Sequence, residues 1–353
     1  MEDCRLRDPF LSLATTESRR ARREKNESPA LHKRTKRKLR VLCDSVVKLF
    51  YRIFAVELLH AVAVRFIHSP VSMSPERIFA KAEALKRKTH RLSLDLRLKS
   101  VSDAASFLRE HGVVLWNAKA ELPNLLDAII GRVANGRERV YGKPAENCYR
   151  WREQLMSNQD FLECRFFSKH STVIHQDLWP FATVFARENR KKAEAGLGVS
   201  KEERRILVFL EREGPTRSDN LRKALKFSSP EQGRIFHRAK RDLQNHLVLL
   251  AKEDSNSKIH THAEILDFWE NCMPKSVRTK ADQIDQNGGR LKLLSATLQS
   301  CVLSNEKRIP AWFHWCDEGV GDSLEKLLQK KDFVRVPLKR DRWIVSRKVI
   351  ESR

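Results

Sequence analysis

Breaking a bond near neutral pH needs a positioned acid, base or metal, so polar residues beside apolar runs come first. Gly112-Val-Val-Leu-Trp-Asn117 ends such a run in an amide. Asn117 can hold a water but, being neutral, cannot act as its base. Glu121, before Leu-Pro, and Asp177, in His175-Gln-Asp177, are carboxylates that could do so. Each also has a plainer use: Glu121 as the cap of the next helix, Asp177 as an exposed turn ahead of Trp179-Pro180. Gln283-Ile-Asp285 couples an amide and an acid, but in a polar stretch before Gly288-Gly289. Trp116 and Trp151 could pack against a sugar or an unstacked base, or fill a core.

Other chemistries lack their residues. The seven cysteines include no Cys-x-x-Cys pair, and His260-Thr-His262 has no companion ligands. No metal and no cofactor is therefore expected, and a reducing, cytoplasmic, nucleoid-associated setting fits. Phosphate loops, serine-triad spacings and dinucleotide fingerprints are missing from the sequence. Sixty-nine Lys+Arg stand against 45 Asp+Glu, a formal charge of +24. That balance suits a polyanion, with double-stranded DNA the leading partner. Residues 42–67 are apolar, but Asp44, Lys48, Arg52, Glu57 and Arg65 interrupt them, against a membrane span.

The elements that must hold these residues are mainly helices with small β-hairpins, an α+β class. Residues 1–72, with the run Lys33-Arg-Thr-Lys-Arg-Lys-Leu-Arg40, read as a basic disordered arm or as an extension ahead of a better start at Met73. Helical spacing begins at Ser102–Glu110 with Gly112 as its stop, then near Leu122, and Phe161–Ile174 reads as strands around a turn.

Two later segments share one plan. In the first, a helix over Lys201–Glu213 is stopped by Gly214-Pro215. Ser218 or Asp219 caps a short helix that buries Leu221, Ala224 and Leu225, and Ser229-Pro230 starts a third. That third helix turns Ile235, Phe236, Ala239 and Leu243 inward, and Arg234, Arg238, Lys240 and Arg241 elsewhere. Strands at 247–250 and 258–262 follow, around a polar tip. In the second, helices at 291–303, 306–315 and 322–330 precede a hairpin, 333–346, whose tip carries Lys339, Arg340 and Arg342. Three helices followed by a hairpin make the winged-helix pattern. The expected domains are thus a winged-helix-like region at 73–190, a central winged helix at 200–273 and a C-terminal one at 276–353. Arg222 and Lys223 join the arginines above as candidate DNA contacts. The basic faces lack interleaved aromatics, which favours duplex over single strands.

With these segments in order, the chain resembles the AlkZ-like (YcaQ-type) DNA glycosylase family, closest to its AlkZ-related branch. The resemblance rests on His111–Trp116, Glu121–Ala128, Tyr149-Arg-Trp-Arg-Glu-Gln-Leu155, Arg204–Leu225 and Arg234–Leu250 with Arg241-Asp-Leu-Gln244. It implies tandem winged helices around a DNA-binding concavity and, in active members, excision of alkylated or crosslinked purines. Such enzymes carry Gln-x-Gln or Gln-x-Asp after a Gly-x-Val turn. Here Leu115 replaces the leading Gln, and Asn117 takes the second polar place. The sequence therefore favours recognition of damaged or distorted duplex without cleavage. An active glycosylase, or a regulator or interaction module on the same fold, is the alternative.

Overall fold

In the computed structural model of the protein, residues 73–253, 264–316 and 318–351 are described. Ser100 and Asp103 close a reciprocal capping box on α2 (Val101–His111), which Gly112 ends in a left-handed conformation. The helix buries Ala104, Phe107 and Leu108 and delivers the chain into β1 (Val113–Leu115). Upstream, α1 (Pro75–Thr89) is capped by Ser74.

The order after β1 is α3 (Leu125–Ile130), α4 (Lys143–Met156), β2 (Phe161–Phe167) and β3 (His170–His175). A 3-10 turn then leads into α5 (Trp179–Glu194). Next come α6 (Lys201–Glu213), β4 (Thr216–Arg217), α7 (Ser218–Ala224), α8 (Pro230–Asn245), β5 (Leu249–Glu253) and β6 (Glu264–Phe268). Two short helices, α9 (Trp269–Cys272) and α10 (Lys275–Ala281), join these to α11 (Gln286–Cys301) and β7 (Leu303–Asn305). The 3-10 segment Glu306–Ala311, α12 (Val320–Gln329), β8 (Phe333–Leu338), β9 (Asp341–Ser346) and α13 (Arg347–Glu351) complete the chain.

One order recurs: helix, short strand, two helical pieces, then a hairpin. Each copy forms a three-stranded antiparallel sheet in which the last strand lies in the middle, β1-β3-β2, β4-β6-β5 and β7-β9-β8. The sequence reading has three helices and a hairpin in the second and third copies, without the short strands β4 and β7 that complete each sheet. In the first copy, read as a winged-helix-like region, the helix from Leu122 and the strands at Phe161–Ile174 are present, while β1 and α4 are not identified from the sequence.

Several expectations are corrected in detail. Ser218 and Asp219 lie inside α7, whose cap is Arg217, and Ala224 is exposed. Ile235 is 39% exposed, not an inward residue of α8. The helix expected at 306–315 is a 3-10 segment with Pro310 inside it. The strand after the polar tip is β6 at Glu264–Phe268; the strand expected at 258–262 falls within 254–263, which, with His260 and His262 and with residues 1–72, lies outside the described residues.

Helix α5 joins the copies. Trp179 Nε1 donates to Ile174 O at 3.1 Å, Trp269 Nε1 to Thr183 Oγ1 at 2.9 Å, and Asn189 Nδ2 to both His246 O and Trp315 O at 2.8 Å. Around it Phe166, Phe185, Phe313 and Trp315 pack ring to ring in the largest core cluster. Helix α1 packs on β7, β8 and α13 of the third copy, burying Ala82 with Val336, Val345 and Val349. No helix among the described residues is long and apolar enough to cross a membrane.

Candidate nucleic-acid interface

Helix α8 starts at Ser229, whose hydroxyl accepts from Gln232 N at 3.1 Å while the Gln232 side chain returns to Ser229 N at 3.2 Å. Pro230 fixes the first turn. With Phe236, Ala239 and Leu243 buried, the 3.6-residue repeat leaves Arg234, Arg238 and Arg241 exposed at i, i+4 and i+7. They form one basic stripe about 10 Å long at 1.5 Å per residue. Lys240, by contrast, pairs with Glu264 at 2.6 Å and reaches Ser218 Oγ. Arg222 is half-buried, its guanidinium lying against Gly233, and Lys223 is exposed. His237, on the outer side of α8, is driven towards its neutral form by partial burial and then by the charges of Lys240 and Arg222.

The last hairpin presents Lys339 and Arg340 to solvent, with Lys339 at φ 55° in the turn. Arg342 is 65% exposed and ion-pairs with Glu306 at 3.1 Å. Asp341 binds Lys307 at 2.9 Å, so the tip is partly neutralised by its own neighbours.

The candidate catalytic residues sit in three separate surroundings. Leu115 is fully buried in β1. Asn117 is exposed; its Nδ2 donates to Arg139 O at 3.5 Å, and its carbonyl accepts from the Arg139 guanidinium. Glu121 turns to the third copy, where Oε2 accepts from Trp312 Nε1 at 3.0 Å and Oε1 from Asn305 N at 3.3 Å. It caps no helix, because α3 takes Asn124 as its cap. Asp177 is exposed beside His175 Nδ1 at 3.3 Å. Asp285 caps α11 through Gly288 N. Trp116 is 5% exposed with its Nε1 buried and without a hydrogen-bond partner, while Trp151 is half-buried against the same core.

Arg139 organises the ground below Asn117. Its Nη2 lies 3.1 Å from Asp127 Oδ1, and Asp127 also accepts from Ala134 N at 2.9 Å. Burial raises the Asp127 pKa and outweighs the opposing pull of the Ala134 N–H and the Arg139 charge. Trp116, Asn117, Arg139, Tyr149 and Arg152 line a depression of about 540 Å³.

A second depression, of about 350 Å³, lies between β2, β3 and α4 on one side and α8, β5 and β6 on the other. It brings together residues that the sequence reading did not select: Glu163, Ser171, Arg165, Arg152, Tyr149 and Gln244. The available signal was two charges two residues apart within the apolar strand Phe161-Leu-Glu-Cys-Arg-Phe-Phe167. Among the described residues no group of three or more His, Cys, Asp or Glu is placed to hold a metal ion.

Residues 98–314 match the AlkZ-related family. The chain belongs to that family. No curated protein and no solved structure gave a match to it. The AlkZ-related region runs from the residues just before α2 to just past the 3-10 segment in the third copy. It therefore contains α8, both depressions and the Leu115–Asn117 turn.

Proposed function

We propose that the protein binds double-stranded DNA through tandem winged helices and recognises damaged or distorted duplex without excising a base. The observation that carries this reading is the exposed stripe Arg234–Arg238–Arg241 on α8, the third helix of a helix–strand–helix–helix–hairpin unit. That is the position from which a winged helix reaches a DNA groove. Membership of the AlkZ-related family and the charge of +24 point the same way. On this reading the repeated units are the domains, with α5 joining the first two and α1 packed on the third.

The proposed absence of cleavage follows from the chemistry. Hydrolysis of an N-glycosidic bond needs a group that orients water and steadies positive charge on the sugar. Leu115 offers a buried hydrocarbon at the leading position, and Asn117 a neutral amide. Glu121 is held by Trp312 and Asn305.

The direct test is duplex binding as a function of salt. Affinity should fall steeply with salt, about 0.9 in log–log slope for each phosphate neutralised. Binding that ignores salt, or no binding to any duplex, would sink the proposal. With duplex carrying an N7-alkylated guanine, alkali-labile sites should not exceed the protein-free control; an excess would establish glycosylase activity instead.

A further inference from the structure

The outer face of helix α6 combines exposed apolar residues with an ordered pattern of charge. Ile206 and Leu210 are buried in one cluster with Phe236 and Leu243 of α8, while Val208, on the far side of the helix, is 60% exposed. Depressions of about 450 and 380 Å³ run along its two sides, and Arg204, Val208 and Arg212 line both. Leu207 and Phe268 add apolar surface to the first, Phe209 and Leu225 to the second. Arg204 lies against Gly196, next to Leu197, which is 64% exposed. An apolar patch with a polar rim marks a protein contact.

The charges on this face are sorted along the helix. Ahead of Val208 the exposed ones are Lys201, Arg204 and Arg205, all basic. After it come Glu211, Arg212 and Glu213, with Arg212 Nε 2.6 Å from Glu213 Oε1. Arg190 is shared between Glu211 and Glu194 at 2.6 Å each, so that trio keeps a negative charge. A carboxylate accepts about four hydrogen bonds, so Glu211 retains capacity for a further donor. Glu211 and Glu213 stand in the last turn, where the helix dipole disfavours acids, so this order does not serve α6 alone. Set end for end against an identical helix, the order becomes complementary. A two-fold axis near Val208 brings the basic half of each helix to the acidic half of the other, as an isologous contact requires.

The formal charge of +24 drives two copies apart, so a contact between them needs a face where acids and bases both occur. Duplex DNA is the poorer occupant, because Glu194, Glu211 and Glu213 would meet its phosphates. We propose that the chain self-associates as a two-fold dimer through α6, with Val208 of the two copies meeting at the axis and Arg204 of each against Glu211 of the other. The inference is independent of the duplex-binding reading.

The test is sedimentation velocity of the full chain without DNA. The mass should rise from that of one chain towards that of two between about 1 and about 100 µM, the range of a small interface. Val208→Glu, at an exposed position, should hold the chain as a monomer without moving its melting temperature. Arg204→Glu and Glu211→Arg should each weaken self-association at least about tenfold, since like charges then face each other across the axis. Mixed one to one, these two variants should associate again. A wild-type chain that stays monomeric throughout overturns the inference, whether the face is then bare or covered by residues 1–72. So does a dimer that survives Val208→Glu, or a mixture of the two charge variants that stays monomeric.

Discussion

At the residue scale, the ground around Asn117 is held by one buried ion pair. Asp127 and Arg139 have side chains only 11% and 13% exposed. Truncating one member leaves the other charge buried and unpaired, so Asp127→Ala should cost about 3–5 kcal/mol in urea denaturation. The double variant Asp127→Leu/Arg139→Met should cost less than that single one. Two histidines set a pH dependence. His90 Nε2 donates to Ser300 O at 2.9 Å, and His111 Nε2 to Thr89 O at 3.0 Å. Burial, the largest cause for both, lowers both pKa values, that of His90 far below normal. The unfolded chain therefore takes up protons near pH 6.5 that the folded one refuses, and stability falls as pH drops below that value. The slope approaches about 1.4 kcal/mol per pH unit for each histidine. Denaturation midpoints between pH 7.5 and about 5 should show this fall, and His111→Gln should flatten it.

At the element scale, local sequence marks where several helices begin. The Ser100–Asp103, Ser200–Glu203 and Ser229–Gln232 boxes are visible as residue spacings, and each closes as the capping rule requires. Ser229→Ala should cost about 1 kcal/mol of thermal stability and loosen the turn that presents Arg234. Gly131 marks a different kind of constraint. Its φ is 83°, and a Cβ there would meet Ser93 O at 2.8 Å. Gly131→Ala should lower stability by about 1–3 kcal/mol, read from thermal melts. The short pieces were not legible. A three-residue strand spans too few residues for periodicity, so β1 went unread, as did α4, while the helix from Leu122 and the strands at Phe161–Ile174 were legible. Ile235 reads as inward by type yet is partly exposed, because a 16-residue helix packed on one side leaves room for an apolar residue at its margin.

At the scale of the whole molecule, the proposed duplex surface is testable as a unit. Replacing Arg234, Arg238 and Arg241 together by Ala should weaken binding at least tenfold at about 0.1 M salt. It should also reduce the log–log salt slope by up to about 2.7, or 0.9 for each lost phosphate contact. The three side chains are exposed, so the melting temperature should barely move, and a large drop would show that they serve the fold.

The sequence by itself carried the basic charge and the capping boxes that start α2, α6 and α8. These follow from charge, residue type and short-range spacing, all of which survive in one dimension. The tertiary structure alone decided which polar residues meet. Glu121 looked free for chemistry and is bound to Trp312, nearly two hundred positions away. Glu163 and Arg165 looked like charges in a strand and stand with Tyr149, Ser171 and Gln244 around one cleft. Such meetings depend on how helix α5 joins the three sheets, and no local rule of spacing carries that information.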